Sequence, residues 1–191
     1  MSYIIDGTGT GRRAGVTSDN RLKVDAVTED SYVEAAESGL AFNINTEAVV
    51  YSGTAPFSAG CLYIKNNEAA EMEVVGWFIG EEAGSRSGGD TSKALLFEMY
   101  GNPVDNGVSG TTVDVVNRKI GAPREFDIFA LKNVTGYSVA GSPLLYQYHY
   151  SGRAFGTVNF TIPPGQSIIV QVSSQTDTAT FYTGFTGYVK G

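Results

Sequence analysis

The sequence predicts an all-β fold, an antiparallel β-sandwich or jelly roll with an extended N-terminal arm. After residue 40, short apolar runs are separated by Gly, Pro, Asn and Ser, and none has a helical period. The chain of 191 residues also contains 11 Tyr, 10 Phe and 24 Gly. Aromatic residues favour the half-buried surface of a sheet, and glycine favours the turns between strands.

Residues 1–40 are predicted to form the arm and a connecting segment, and residues 41–191 the β body. The run Asp6–Gly11 alternates glycine with threonine and is too flexible to hold regular structure alone. Leu22–Val27 alternates like a short edge strand. Thr28–Gly39 is the one helix candidate, with Ser31 as its N-cap and Gly39 at its end.

The body is predicted to begin with a strand over Ala41–Ser52. Gly60–Lys65 is predicted to pair with Glu71–Ile79 in a hairpin, because the polar residues Asn66–Glu68 between them favour a turn. Gly101–Gly110 is predicted to be a loop from its Asn-Pro and Asn-Gly pairs. The other predicted strands are Ala94–Tyr100, Thr111–Val116, Phe126–Lys132, Pro143–Ser151, Ala154–Ile162, Ser167–Ser173 and Ala179–Lys190.

Two details of these strands can be predicted. Strict alternation places Met72, Val74 and Phe78 on one face of their strand and Trp77 and Ile79 on the other. Both faces are then largely apolar, which is typical of a strand inside a sandwich or at a subunit contact. Before the penultimate strand, Pro164 and Gly165 occupy the second and third positions of a predicted type II turn in a final hairpin.

Charge and hydropathy limit the class of partner. The net charge of −7 disfavours a nucleic-acid partner, because an acidic chain repels the phosphate backbone. No apolar run approaches the roughly 20 residues that span a bilayer, and the N-terminus lacks the apolar region of a signal peptide. We expect a soluble protein made in a cytosol. Charged residues make up only 17% of the chain, which fits either protein–protein contacts or a neutral polar β surface.

The reactive side chains do not indicate an enzyme. His149 is the one histidine and Cys61 the one cysteine, and no zinc-ligand spacing surrounds them. No Gly-x-Ser-x-Gly motif supports a Ser-His-Asp triad. The glycine run in the arm lacks the helix that must follow a dinucleotide-binding loop. We expect no catalytic, cofactor-binding or metal-binding residues, a satisfied or surface His149, and a buried Cys61.

Aromatic side chains support an alternative function. Flat rings at a protein surface stack on sugar rings, and the candidates for such glycan stacking are Trp77, Tyr146, Tyr148 and Tyr150. Aromatic residues are more common in cores and interfaces. Glycan binding is therefore the alternative hypothesis.

Five motifs, namely Ile4–Gly11, Ala14–Leu22, Ala41–Thr46, Leu62–Asn67 and Ile162–Ile168, resemble segments of structural proteins of tailed bacteriophages. The resemblance is to jelly-roll capsid decoration, or cement, proteins. It implies a non-enzymatic virion protein that is made in the bacterial host cytoplasm and lies on the capsid surface. It also implies a homotrimer that binds the major capsid protein and cements neighbouring capsomers. It also leaves open a tail, neck or fibre component with a receptor- or carbohydrate-binding role.

In either role the resemblance implies that the arm contacts another virion protein. Arg12 and Arg13 suit an acidic partner surface, or equally a solvated arm. The predicted partner-binding residues are Ile4, Ile5, Asp6, Arg12, Arg13, Arg21 and Leu22.

Overall fold

The computed structural model describes residues 3–5, 13–16, 22–23, 31–82, 84–92, 94–150 and 153–191, with backbone alone at 3–5, 13–16, 22–23, 150 and 153. Contacts within the chain divide it into two compact units, Met1–Asp30 and Ser31–Gly191. In the first unit, β1 (Tyr3–Ile5), β2 (Arg13–Val16) and β3 (Leu22–Lys23) form an antiparallel sheet in that order. The rest of the predicted strand Leu22–Val27 lies outside the described residues.

The second unit, called the body below, contains one short helix and twelve strands. The helix α1 spans Ser31–Glu37 and contacts β4 and β15. Among the described residues, no helix is long and apolar enough to cross a membrane. The strands are β4 (Ala41–Asn45), β5 (Val49–Ser52), β6 (Phe57–Asn66), β7 (Met72–Glu81), β8 (Leu95–Gly101), β9 (Val104–Thr112), β10 (Val115–Asn117), β11 (Ile128–Ser138), β12 (Leu144–Tyr150), β13 (Arg153–Ile162), β14 (Ser167–Ser174) and β15 (Thr178–Val189).

The strands form two packed antiparallel sheets, as the sequence predicts. Sheet 1 has the order β10-β4-β15-β7-β13, with β5 also paired to β15, and sheet 2 has the order β12-β8-β14-β6-β11-β9. Four pairs are nested in chain order: β4 with β15, β6 with β14, β7 with β13, and β8 with β12. This nesting is a long hairpin rolled across two sheets, which is the jelly-roll topology.

The core lies between the sheets. Phe42, Phe97, Phe181 and Phe185 are fully buried there, and full burial of one such side chain contributes about 1.5–3 kcal/mol. Cys61 is also buried, as predicted, and burial raises the pKa of its thiol. Leu95, Phe97 and Met99 of β8 are buried in the same core.

A second apolar cluster covers part of the outer face of sheet 2 and was not predicted. It contains Tyr63 and Ile169 from the central strands, and the ring of Tyr137 packs nearby over Gly60. A Cβ atom on Gly60 would lie 2.6 Å from that ring, so this position requires glycine. The Tyr137 hydroxyl donates to Gln171 Oε1 over 3.1 Å, and burial raises the pKa of Tyr137 to about 12.

Both predicted hairpins are wrong, although the type II turn predicted for the second of them is right. β6 and β7 lie in different sheets, and so do β13 and β14. The turn hydrogen bond from Gln166 N to Pro163 O and the positive φ of Gly165 confirm the type II turn. Turn chemistry fixes a local reversal, but it does not decide whether the next strand pairs or crosses to the facing sheet.

The predicted faces of β7 are also wrong, because a β-bulge interrupts the alternation. Pairing with β15 runs from Gly76 directly to Val74, so Val75 is the additional residue. Met72 and Val74 consequently face the core together with Trp77 and Ile79. Phe78 is turned to the outer face of sheet 1.

Two smaller boundaries differ from the predictions, and one agrees. The segment Ala41–Ser52 is divided into β4 and β5, because Glu47 between them has a φ of 57°. The predicted loop Gly101–Gly110 contains most of β9, which forms because β11 extends far enough to pair with it. Gly39 ends the helix with a φ of 74°, as predicted, and Ala35 is the buried residue of α1.

Candidate interaction surface

The arm residues predicted to bind a partner are only partly placed. Ile4 and Ile5 lie in β1, Arg13 lies in β2 and Leu22 in β3, each with its backbone alone described. Asp6, Arg12 and Arg21 lie outside the described residues. Their role in partner binding stays a prediction.

The structure brings most of the glycan-stacking candidates together, but at different depths. Trp77 is only 4% exposed and stacks on Phe97 with ring centroids 5.0 Å apart. Tyr146 and Tyr148 of β12 lie against the same indole ring, at 5.4 and 6.1 Å. Tyr148 is 45% exposed, so it can offer a ring to a ligand, whereas the Trp77 ring is covered on its faces. The side chain of Tyr150 lies outside the described residues.

The chemistry around His149 is sparse. His149 is exposed and lines an open pocket of about 470 Å³ with Asp90, Leu96 and Ser173. The Ser173 hydroxyl pairs with the Ser58 hydroxyl over 2.6 Å, and no hydrogen bond joins His149 to Ser173 in the described part of the chain. A nucleophile–base pair needs that bond. Within the same residues, no group of three or more His, Cys, Asp and Glu is placed to hold a metal ion.

Two neighbouring edges of the sandwich are unusually apolar. β12 ends sheet 2 and β13 ends sheet 1, so among the described strands each has one hydrogen-bonded neighbour. Phe155, the third residue of β13, is 87% exposed, and Leu144 and Leu145 of β12 are 48% and 42% exposed. Between Leu144 and Ile162 the sequence has a single charged residue, Arg153. Edge strands usually carry charge or proline that blocks pairing with another chain.

An aromatic strip continues from Phe155 across the outer face of sheet 1. Phe155 is the direct partner of Phe78 on β7, and the centroid of Phe78 lies 6.3 Å from that of Tyr182 on β15. Glycines lie beneath both inner rings: a Cβ atom on Gly184 would be 2.5 Å from Phe78, and one on Gly80 would be 2.1 Å from Tyr182. The glycines therefore let these rings lie close against the sheet. We call Phe78, Phe155 and Tyr182 the aromatic strip.

Sequence reasoning did not find the aromatic strip. The outward turn of Phe78 depends on the bulge at Val75, and the exposure of Phe155 depends on β13 being an edge strand. The available signal was the pair of glycines at positions 80 and 184, which lie within apolar strands where a glycine often marks the close approach of another group.

Comparisons with known proteins identify no family. No protein-family model matches the chain, and no curated protein matches it. A solved structure with weak similarity is the crystal structure of the infectious bursal disease virus VP2 subviral particle, at 12% identity and a TM-score of 0.15. The aligned region covers 76% of this chain and 42% of that chain. A similarity at this TM-score carries no argument about fold or function.

Proposed function

We propose that the protein is a non-enzymatic structural component of a tailed-phage virion, namely a capsid decoration protein. It binds the outer capsid surface and holds neighbouring capsomers together. The observation that carries the proposal is the division of the chain into a jelly-roll body and a separate N-terminal unit with phage-like sequence motifs. The apolar edges of the sandwich support a protein that works in contact with other proteins.

This arrangement suits cementing for physical reasons. A jelly-roll body with a continuous core resists local opening, while a glycine-rich segment can order on contact with a neighbouring subunit. A protein that binds only the expanded shell stabilises that shell by linkage, in proportion to the logarithm of its concentration over its dissociation constant. We propose the major capsid protein as the partner and, following the resemblance, a homotrimer as the form assembled on the capsid.

Deleting residues 1–27 is expected to abolish capsid binding and to leave the body folded. The body is a compact unit on its own, so its unfolding temperature should stay close to that of the intact chain. Binding is measured by co-sedimentation with capsids prepared without this protein, and folding by far-UV circular dichroism. The matched control is the intact chain carrying Ile120→Lys, which alters an exposed body residue and leaves the arm unchanged. Undiminished binding of the truncated chain would end the anchoring role.

The virion location can be tested directly. Antibody against the body, imaged on intact virions by electron microscopy, should label the head at regular spacing. Label confined to the tail or its tip would contradict the decoration role and favour the second candidate function, a receptor- or carbohydrate-binding tail component.

Tyr148 is the observation that favours this second candidate, because its ring is 45% exposed and braced by Trp77. If a host surface glycan binds here, Tyr148→Ala should weaken binding about tenfold or more, since truncating an aromatic anchor typically has that effect. The control is Phe129→Ala, which removes a similarly exposed aromatic ring, 41% exposed, from β11 of the same sheet. Equal glycan binding by Tyr148→Ala and the unaltered chain, or no glycan binding by either, would end this candidate.

A further inference from the structure

We infer that the edge strand β13 and the aromatic strip form the contact between two copies of this chain. The inference rests on the proposed function for its biological use, because it names the surface through which a decoration protein would assemble. Its first test needs only the purified chain. It can therefore fail or succeed separately from capsid binding.

The first argument is the open edge. β13 has ten residues and, among the described strands, pairs with β7 alone, so no described strand pairs with the backbone groups along its other edge. Arg153–Thr157 pairs in regular register, and the irregularity falls later, between Thr157 and Phe160. A regular antiparallel edge can pair with a copy of itself through main-chain hydrogen bonds, since the same edge supplies donors and acceptors.

The second argument is the apolar surface beside that edge. Phe155 is 87% exposed, which is rare for a phenylalanine within a strand, and Phe78 and Tyr182 extend this apolar surface across sheet 1. Covering these three rings would remove apolar area from water in one contiguous patch. Aromatic anchors of this kind supply most of the binding energy in protein interfaces.

The third argument is charge, and it indicates that the partner at this surface is a second copy of the chain. The chain carries a net charge of −7, so two copies repel each other over most of their surface. None of the three strip residues is acidic or basic, and Arg153 is the one charged residue of β13. Two copies can meet here without opposing carboxylates. A strongly basic partner would instead select an acidic surface.

The test is the mass of the purified full-length chain in solution, measured by light scattering after size-exclusion chromatography over a range of concentrations. We expect twice the single-chain mass of 20.3 kDa for the unaltered chain, because antiparallel pairing of β13 with itself joins two copies about a two-fold axis. Phe155→Lys places a charge at the centre of the contact and should weaken association at least about tenfold, so that the mass falls to that of a single chain. Because Phe155 is exposed, the variant should keep the unfolding temperature of the unaltered chain.

The matched control is Ile120→Lys. Ile120 is fully exposed in the turn after β10, so this variant makes the same substitution of an exposed apolar residue away from the aromatic strip. It should keep the mass of the unaltered chain. A monomeric unaltered chain at every concentration, or an oligomer that Phe155→Lys does not weaken, would overturn the inference.

Capsid binding by the same variant separates this inference from the proposed function. A monomeric Phe155→Lys chain that still binds capsids supports the contact between copies and leaves the decoration role intact. An oligomeric Phe155→Lys chain that no longer binds capsids assigns the aromatic strip to the capsid protein instead and overturns the contact between copies.

Discussion

Trp77→Ala is expected to lower the free energy of unfolding of the body by about 3–5 kcal/mol, the usual loss for a buried tryptophan. The ring stacks on Phe97 of the facing sheet at 5.0 Å and at an interplanar angle of 17°. Tyr146 and Tyr148 pack against it from β12 of that same facing sheet. Removing the indole therefore opens a cavity where the two sheets meet. Such a loss is a large share of the roughly 5–15 kcal/mol that holds a typical domain folded.

The matched variant is Trp77→Phe. Among the described residues the buried indole Nε1 has no hydrogen-bond acceptor, and an unsatisfied buried donor costs about 1–3 kcal/mol. Phenylalanine removes that donor and keeps an aromatic ring against Phe97, so we expect a loss below about 1.5 kcal/mol. Both values come from urea unfolding followed by far-UV circular dichroism, because the chain has no second tryptophan to report by fluorescence. A loss below about 1 kcal/mol for Trp77→Ala would contradict the core position.

This prediction also changes how glycan binding should be tested. Loss of binding in Trp77→Ala would report damage to the core as readily as loss of a sugar contact. Tyr148 is the cleaner position, because nearly half of its side chain is in contact with solvent.

The fold class could be predicted because its signals are local. Alternating apolar residues and turn-forming residues identify strands wherever these strands pair, and β8 and the Pro164–Gly165 turn are found where the sequence places them. The buried state of Cys61 also follows from its apolar neighbours on β6. Each of these features depends on only a few adjacent residues.

Strand pairing could not be predicted because it is set by distant residues. β6 pairs with β14 and β11, both far along the chain, while its neighbour in sequence, β7, joins the other sheet. The exposure of Phe155 has the same origin: it depends on which strand ends sheet 1, and neighbouring residues carry no signal for that. The candidate contact surface was missed for this reason.

Asn66 shows how the chain crosses between sheets where a hairpin was predicted. Its side chain is fully buried, and its Nδ2 donates to Ala70 O over 2.9 Å and to Ile162 O over 2.8 Å. Its Oδ1 accepts from Glu68 N over 3.0 Å. Its backbone bonds in both directions to the Pro164–Gly165 turn, through Gly165 N and Gln166 O. Asn66 thus links the β6–β7 connection to the β13–β14 connection through hydrogen bonds.

Asn66→Ala is expected to lower the free energy of unfolding by about 2–4 kcal/mol, because it removes three hydrogen bonds, one of them to the carbonyl of the buried Ile162. The control is Asn67→Ala at the adjacent, exposed amide, which should change stability by less than about 0.5 kcal/mol. Urea unfolding at neutral pH measures both. A similar small loss for the two variants would show that the buried amide does not hold the crossings together.

Asn66→Asp tests the same amide through its charge. The carboxylate would face the carbonyls of Ala70 and Ile162 without a donor between them, so both burial and repulsion should raise the pKa of this aspartate above its value in the unfolded chain. A raised folded-state pKa means that the folded variant binds the proton more tightly than the unfolded chain. The variant should therefore be relatively most stable at acidic pH and lose stability as pH rises through the raised pKa. A stability difference from the unaltered chain that does not change between acidic and neutral pH would contradict the role of the amide as a donor to both carbonyls.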